Sequence, residues 1–483
     1  MFLAELFPYA NLVYDILTVL YVLTVLAVIV VVLSENRNPV KSMAWMLVLV
    51  LLPVVGLVIY LVFGRSLKGM RLISRSHLRE LRRMNDFPEA VSREDDLSDS
   101  SRQLISLVNK LTEPHLFKGN DITVFTTGEE KFSSLLRDIE QAREHIHLQY
   151  FIIENDTSGR RLVELLERKA REGVQVKVLY DYVGSFYIHS RVLKHMRAAG
   201  IEVHPFMELT FTQFLFRLNW RNHRKIVVID GKVGYVGGMN IADRYVIGEK
   251  RQPAWRDTHL RIEGESVTAM QYSFAIDWNF TTRRLLDTVP KHQQAGALSS
   301  DYLVQMVNSG PTSRWNNISF VFLKAITLAK HSLYIQTPYF LPTDAVFFAL
   351  KTAVTSGVDV RVMVPRNTDG WFVEWGSRSY LREAHEAGIH VMLYDAMFLH
   401  AKMMVCDDSL CTCGSTNIDF RSFENNFESN TFVYDEDVAQ QMKQVFFDDA
   451  AHAIPLTSLP KRIHPRFFAR LGESFMRLLS PLM

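Results

Sequence analysis

Cysteine is nearly absent from this chain of 483 residues: there are three, Cys406, Cys411 and Cys413, all within eight positions. An odd, clustered set excludes a disulfide framework. The surrounding window, MMVCDDSLCTC, alternates as a strand does, so buried thiols at strand positions are expected ahead of a zinc site. A dominant sign of charge is missing too. Lys and Arg number 54 against 52 Asp and Glu, a formal +2 that gives no ground for a nucleic-acid partner. No carboxylate cluster has metal-ligand spacing, and no glycine-rich loop is built to cradle a nucleotide phosphate. Neither a metal nor a cofactor is expected.

Charge is absent altogether from two stretches near the amino terminus. Residues 16–33 form 18 uncharged positions, ILTVLYVLTVLAVIVVVL, and residues 42–63 form a second such run. Each is long enough to cross a bilayer. A cleaved signal peptide does not fit: no Lys or Arg precedes the first run, no small-residue cleavage site follows it, and a second run comes at once. Residues 1–64 are therefore expected to form a two-helix transmembrane hairpin. The loop between the runs carries Arg37 and Lys41, whereas residues 65–83 carry seven Lys or Arg. The positive-inside rule then puts everything after the second run in the cytoplasm, with the basic stretch against anionic headgroups. Residues 84–101 are polar and acidic, and 65–110 read as a juxtamembrane segment and linker.

Further along, Asn222-His223-Arg224-Lys225 opens an apolar run to Ile229, and Asp230-Gly231 suits a two-residue hairpin turn into Lys232–Val236. Residues two apart on a strand share a face, so His223 and Lys225 point the same way and could receive an anion. The pattern returns 177 residues later as His400-Ala401-Lys402, running to Asp407 and then Gly414-Ser415-Thr416-Asn417. Residues 400–421 match residues 223–244 at eight of 22 positions, where chance gives about one or two. That is an internal duplication.

The rest of the body repeats with it. Strands are expected over 145–153 and 174–182 with a helix over 158–172 between them, and over 333–341 and 358–364 with a helix over 344–356. Strand–helix–strand at this spacing implies parallel crossovers, hence an α/β fold of two mixed sheets covered by helices, bilobal and pseudo-twofold. The halves are expected at 111–300 and 301–483. Two more stretches carry apolar faces. Residues 209–218, LTFTQFLFRL, read either as core strand or as an apolar lip beside the first motif. Residues 466–482 set Phe467, Phe468, Leu471, Phe475, Leu478 and Leu479 at helical spacing with Arg466, Arg470 and Arg477 opposite, an amphipathic helix either interfacial or docked on the body.

H-x-K-x4-D followed by G-[GS]-x-N, present twice, resembles the signature of the phospholipase D superfamily, which builds one active site from two copies. Together with the membrane hairpin, the basic stretch and the carboxy-terminal helix, it is similar to the bacterial cardiolipin synthases over nearly the whole chain. The resemblance implies a phosphatidyl transfer that joins two phosphatidylglycerols and releases glycerol at the bacterial cytoplasmic membrane. Its implied catalytic set is His223, Lys225, Asp230, His400, Lys402 and Asp407, with the two aspartates chiefly structural. One imidazole would attack phosphorus and the other would act as acid and base; His223 as the nucleophile is the assignment by analogy. Asn240, Asn417, Gly238 and Ser415 would face the phosphate. Asp257 and Glu428 match positions where relatives carry an acid that orients each histidine, a surface carboxylate being the other reading of each. The alternatives are a membrane phospholipase D using water or another alcohol, and a non-catalytic scaffold for anionic lipids.

Overall fold

The computed structural model describes residues 10–34, 39–52, 54–64, 67–68, 70–84, 97–112, 116–208, 219–249, 252–286 and 298–482. They fall into two compact units, residues 1–67 with 209–219, and residues 68–208 with 220–483. The apolar stretch at 209–218 lies outside the described residues.

In the first unit the leading uncharged run forms the helix Ala10–Ser34, of which Leu12–Ser34 is long and apolar enough to cross a membrane. Its 23 residues at 1.5 Å each span about 35 Å. The second run is not one helix. It forms Pro39–Leu51 and then Val55–Ile59, which passes into a π-helical turn, Tyr60–Gly64. The sequence has Pro53 at the break, and a proline offers no N–H to a helix and crowds the turn before it. Val25 and Val32 of the long helix pack with Leu49 and Tyr60, and Trp45 meets Tyr60 edge-on at 5.4 Å. Among the described residues the expected hairpin is thus one full-length apolar helix followed by shorter pieces.

The second unit holds two large mixed sheets. The first is built from β1 (Asn120–Phe125), β2 (His145–Tyr150), β3 (Gln175–Asp181), β4 (Glu202–Phe206), β5 (Ile226–Ile229), β6 (Val233–Gly237) and β7 (His259–Gly264). Its spatial order is β1-β7-β6-β5-β2-β3-β4. The second uses β8 (Val304–Ser309), β9 (Ser332–Gln336), β11 (Asp359–Pro365), β12 (His390–Tyr394), β13 (Met403–Cys406), β14 (Leu410–Gly414), β16 (Glu428–Val433) and β17 (Ala453–Pro455). Read from β8, its order is β8-β16-β14-β13-β9-β11-β12-β17. Strand for strand this repeats the first sheet, with β17 added at the edge. Two short strands, β10 (Phe340–Leu341) and β15 (Ile418–Asp419), pair on their own. The crossovers are parallel as expected: β2 pairs with β3 around helix Thr157–Arg171, and β9 with β11 around helix Asp344–Thr355.

Alternation along the central strands explains how the halves join. In β5, Val227 and Ile229 enter the core of the first half, while Ile226 and Val228 enter a core shared with Met403 and Val405 of β13. In β13, Met404 and Cys406 turn the other way, into the core of the second half. Each sheet is therefore buried on both faces, which is why its strands read as unbroken apolar runs. The three cysteines are free and buried at such strand positions.

Some expectations shift. The motif hairpins turn through three residues, not two, because Ile229 pairs with Val233 and Cys406 with Leu410. Asp230 at φ 51° and Gly231 at φ 65° are both left-handed, as are Asp407 and Asp408. The helix Asp99–Leu111 is not linker. Its Leu104, Ile105 and Val108 are buried in the core of the second half with Ile318 and Val321. Part of the basic stretch is likewise built into the body, since helix Arg75–Met84 buries Leu81 with Tyr272 and Trp278.

Asp230 and Asp407 do the same job in each half. Asp230 accepts backbone N–H groups from Arg143, Glu144 and His145 at 2.8, 2.8 and 2.9 Å, tying the turn to the start of β2. Asp407 accepts those of Lys330, His331 and Ser332 at 2.7, 2.7 and 2.9 Å, at the start of β9. Both lie at the far end of β5 or β13 from the motif lysine. Grouped with the catalytic residues from sequence, they act here as anchors. Asp230→Ala or Asp407→Ala is expected to lower stability by about 1–3 kcal/mol, through three unmet donors and a lost left-handed preference. Asp→Asn, which tolerates that backbone, should cost less. An unchanged melting curve with lost activity would return them to the reacting set.

Candidate active site

The chain enters β5 through Asn222–Lys225 and β13 through Leu399–Lys402. Both lead-in segments pair with the opposite half. His223 N–H donates to Phe427 O at 2.9 Å, and Phe427 N–H donates to Arg221 O at 2.9 Å. In the same manner His400 N–H donates to Arg256 O at 2.7 Å, and Arg256 N–H to Phe398 O at 2.9 Å. These two parallel bridges bring the second-half residue Phe427 beside Asn222 and the first-half residue Arg256 beside Leu399.

The residues that follow complete an exchange of partners. His223 Nδ1 is 3.0 Å from both oxygens of Glu428, and His400 Nδ1 is 2.6 Å from Asp257 Oδ2. Both carboxylates are fully buried, so neither is a surface acid. In sequence Asp257 follows the first motif and Glu428 the second, yet each serves the histidine of the other half. The geometry fits neutral imidazoles that donate from Nδ1 and keep Nε2 unprotonated as a base or nucleophile, although at His400 the Lys402 ammonium crowds both ring nitrogens, 2.9 Å from Nδ1 and 3.3 Å from Nε2.

Burial and lysine charge explain that protonation state. Burial, followed by the charges of Lys225 and Lys402, holds His223 down to about 4 against the pull of Glu428. His400 is driven well below its ordinary value by burial, then by Lys402, Lys225 and His223. Burial alone would raise Glu428, but His223 and Lys225 hold it below the usual range. Asp257 differs: burial pushes it up to about 6 despite Lys402 and Lys225. The two lysines are themselves lowered by burial. Such a crowd of desolvated cations and imidazoles is what an anion would relieve.

The lysines occupy matching places, with Nζ 2.6 Å from the carbonyl of the motif histidine in each half, His223 for Lys225 and His400 for Lys402. Lys402 also lies 3.3 Å from His400 Nε2. The asparagines differ. Asn240 receives the Ile152 N–H at 3.2 Å and donates to Tyr245 Oη at 2.8 Å, whereas Asn417 Oδ1 is buried with no partner among the described residues. Gly238 and Ser415, equivalent in the repeat and assigned to phosphate from sequence, have other work. Ser415 donates its hydroxyl to Glu428. A Cβ at Gly238 would stand 2.2 Å from Asp257 Oδ1, so glycine there leaves room for the shorter acid.

Several site residues escaped the sequence reading. Tyr245 and Trp255 pack on His400 with ring centroids at 5.4 Å each, and Phe151 meets His223 edge-on at 4.9 Å. Arg244 lies over Trp255 at 5.2 Å and pairs with Glu154 at 2.8 Å. Arg244 and Arg421 were available in the repeat as one of its eight identities. The aromatic residues have no counterpart pattern in sequence.

Activity should fall as pH drops through about 6, where Asp257 takes up a proton and no longer accepts the His400 Nδ1–H as an anion. In Asp257→Asn that acid limb should move toward about 4, where His223 titrates, with a plateau lowered by about 10^2–10^4. A limb that stays near 6 in this variant belongs instead to Asp419, which burial also raises to about 6.

Known proteins resemble this chain over nearly its whole length. A family model described as "Cardiolipin synthase, PLD-like domain" matches residues 135–266 and 322–450, together more than half of the chain. A second, "Phospholipase_D-nuclease N-terminal", matches residues 22–65. The cardiolipin synthase of Listeria monocytogenes is 38% identical over 482 residues, covering 97% of this chain and 99% of its own. Cardiolipin synthase 2 of Staphylococcus epidermidis is 38% identical over 495 residues, covering 98% and 99%. Among solved structures, the phosphatidylserine synthase of Haemophilus influenzae shares the fold at a TM-score of 0.59 and 16% identity, over 80% of this chain and all of that one. With two motif-bearing halves of one topology and relatives of equal length, this chain belongs to the PLD-like cardiolipin synthase family.

Proposed function

We propose that this protein is a cardiolipin synthase, transferring a phosphatidyl group from one phosphatidylglycerol to the hydroxyl of a second and releasing glycerol. The observation that carries the mechanism is the pair of buried imidazoles, each fixed at Nδ1 by a carboxylate from the opposite half. His223 Nε2 attacks phosphorus as the glycerol P–O bond breaks, and His400 gives a proton to the departing oxygen. His400 then takes the proton of the incoming hydroxyl, whose oxygen displaces His223 from phosphorus. The lopsided electrostatics favour this order. Glu428, held ionised, stabilises the positive charge that a phosphorylated His223 carries, while His400 and Asp257 form the pair poised to exchange a proton. A bound phosphodiester anion counters Lys225 and Lys402 and lifts His400 into a range where it can hold that proton. The two ammonium groups hold the nonbridging oxygens, with the Nδ2–H groups of Asn417 as the further donor. Asp257 and Glu428 orient the histidines, and Ser415 and Gly238 support those acids.

Phosphatidylglycerol, supplied to detergent-purified protein, is expected to give cardiolipin and glycerol. Phosphatidic acid as the main product would mean water is the acceptor, and no product would mean a lipid-binding scaffold. His223→Asn and His400→Asn should each abolish transfer, and a trapped phospho-enzyme should map to His223. Mapping to His400 would reverse the roles, and near-normal turnover in either variant would end the mechanism.

The membrane anchor proposed for residues 1–64 is a two-helix hairpin in the bacterial cytoplasmic membrane, with the catalytic body on the cytoplasmic side. Support comes from the packing of the second run on the first and from seven basic residues after it against two in the loop. In intact cells a cysteine at position 36 should react with an impermeant thiol reagent, and one at position 90 should not. The opposite pattern would put the active site on the outer leaflet.

A further inference from the structure

The helix Phe467–Leu478 sits on the body through Glu473, Met476 and Arg477. Glu473, only 2% exposed, accepts from Arg382 at 2.8 Å. Arg477 pairs with Glu383 at 2.7 Å and covers the Tyr380 ring at 4.1 Å. The apolar side faces out: Phe467, Phe468, Leu471, Phe475 and Leu478 are 73, 82, 57, 59 and 77% exposed. An amphipathic helix on a soluble body shows the reverse. The sequence pattern put Arg466, Arg470 and Arg477 on one face, but only Arg477 turns to the body. Arg466 and Arg470 stay exposed beside the phenylalanines, with Lys461 close before them.

The neighbouring helix leads toward the active site. Gly472 abuts Trp375, and Arg477 meets Tyr380, so this helix and Trp371–Glu386 run in the same direction. Trp371 and Phe372, 70 and 43% exposed, therefore lie at the same end as Phe467 and Phe468. Two residues before Trp371, Asp369 accepts from Tyr339 Oη at 2.9 Å. Tyr339 leads into β10, whose Phe340 pairs with Ile418, the residue after Asn417.

We propose that this face is a second membrane contact, separate from the amino-terminal anchor: an anionic lipid surface covers the exposed phenylalanines and leucines, with Lys461, Arg466 and Arg470 at headgroup level. The face then presents the side of the body leading to Asn417 to the bilayer. A second copy of the chain is the poorer occupant, because a twofold contact through this patch would set its three cations against their own counterparts. The inference rests on the membrane reading above, and it concerns which surface meets lipid.

The test is an environment-sensitive fluorophore on Phe468→Cys, and separately on Phe475→Cys, in the full chain reconstituted into phosphatidylglycerol–phosphatidylcholine vesicles. The native cysteines are buried and stay unlabelled. Blue-shifted emission quenched by lipids brominated in their acyl chains is expected at both positions. Water-like emission would overturn the proposal. A blue shift that bromolipid leaves unquenched would also overturn it, since the cover would then be protein. The probe reads lipid contact whatever product the enzyme forms, so a failed proposal is distinguishable from a failed assignment of the reaction.

Discussion

The catalytic arrangement depends on two backbone bridges. Where Asn222 runs beside Phe427, and Arg256 beside Leu399, each half lends the other a strand end just as its own histidine emerges. The next residue in each case is a carboxylate or an imidazole facing across the seam. Main-chain hydrogen bonds are directional and fix position to a fraction of an ångström, which side-chain contacts between separate lobes do not. The shared apolar core behind β5 and β13 keeps the two sheets from sliding and so protects those four bonds.

Around that seam the interior works against its own charges. Two ammonium groups, two imidazoles and two carboxylates are all withdrawn from water, and burial is the leading influence on each. Such a set is tolerable because every histidine has its acid and every lysine its carbonyl. With both imidazoles neutral the two ammonium groups balance the two carboxylates, so a phosphodiester would be held by the buried N–H donors it meets and not by a surplus of positive charge. The asymmetry between Glu428, held low, and Asp257, pushed up, lies in their partners: His223, Lys225 and the Ser415 hydroxyl outweigh burial at Glu428, whereas burial outweighs Lys402 and Lys225 at Asp257. Ser415 fills the space beside the longer acid and Gly238 vacates it beside the shorter.

Much of this was legible in the sequence, for definable reasons. The duplication revealed itself because His, Lys, Asp, Gly and Asn recur at fixed spacing, and the strand–helix–strand units followed from apolar runs broken at regular intervals. Elements whose place depends on distant packing were harder to read. Residues 99–111 looked like linker because they are polar on average, although Leu104, Ile105 and Val108 form a buried stripe. Ser415 reads from the motif as a phosphate ligand, and only the fold reveals that its hydroxyl also donates to Glu428. The crossed pairing of acids and histidines has no local signal at all, since it depends on how two lobes meet. The direction in which the last helix faces is equally invisible to periodicity, which gives a stripe but not its partner.

The crossing also sets a timetable. His223 waits for an acid 205 residues further on, and Asp257 for a histidine 143 residues further on. A nascent chain with its first half folded and its apolar helix already made has half of each pair and no working site. On the proposed mechanism, transfer chemistry stays off until the second sheet is synthesised and docked. A chain truncated anywhere before Glu428 lacks the acid that meets His223, and by the same mechanism it would leave the lipids around it untouched.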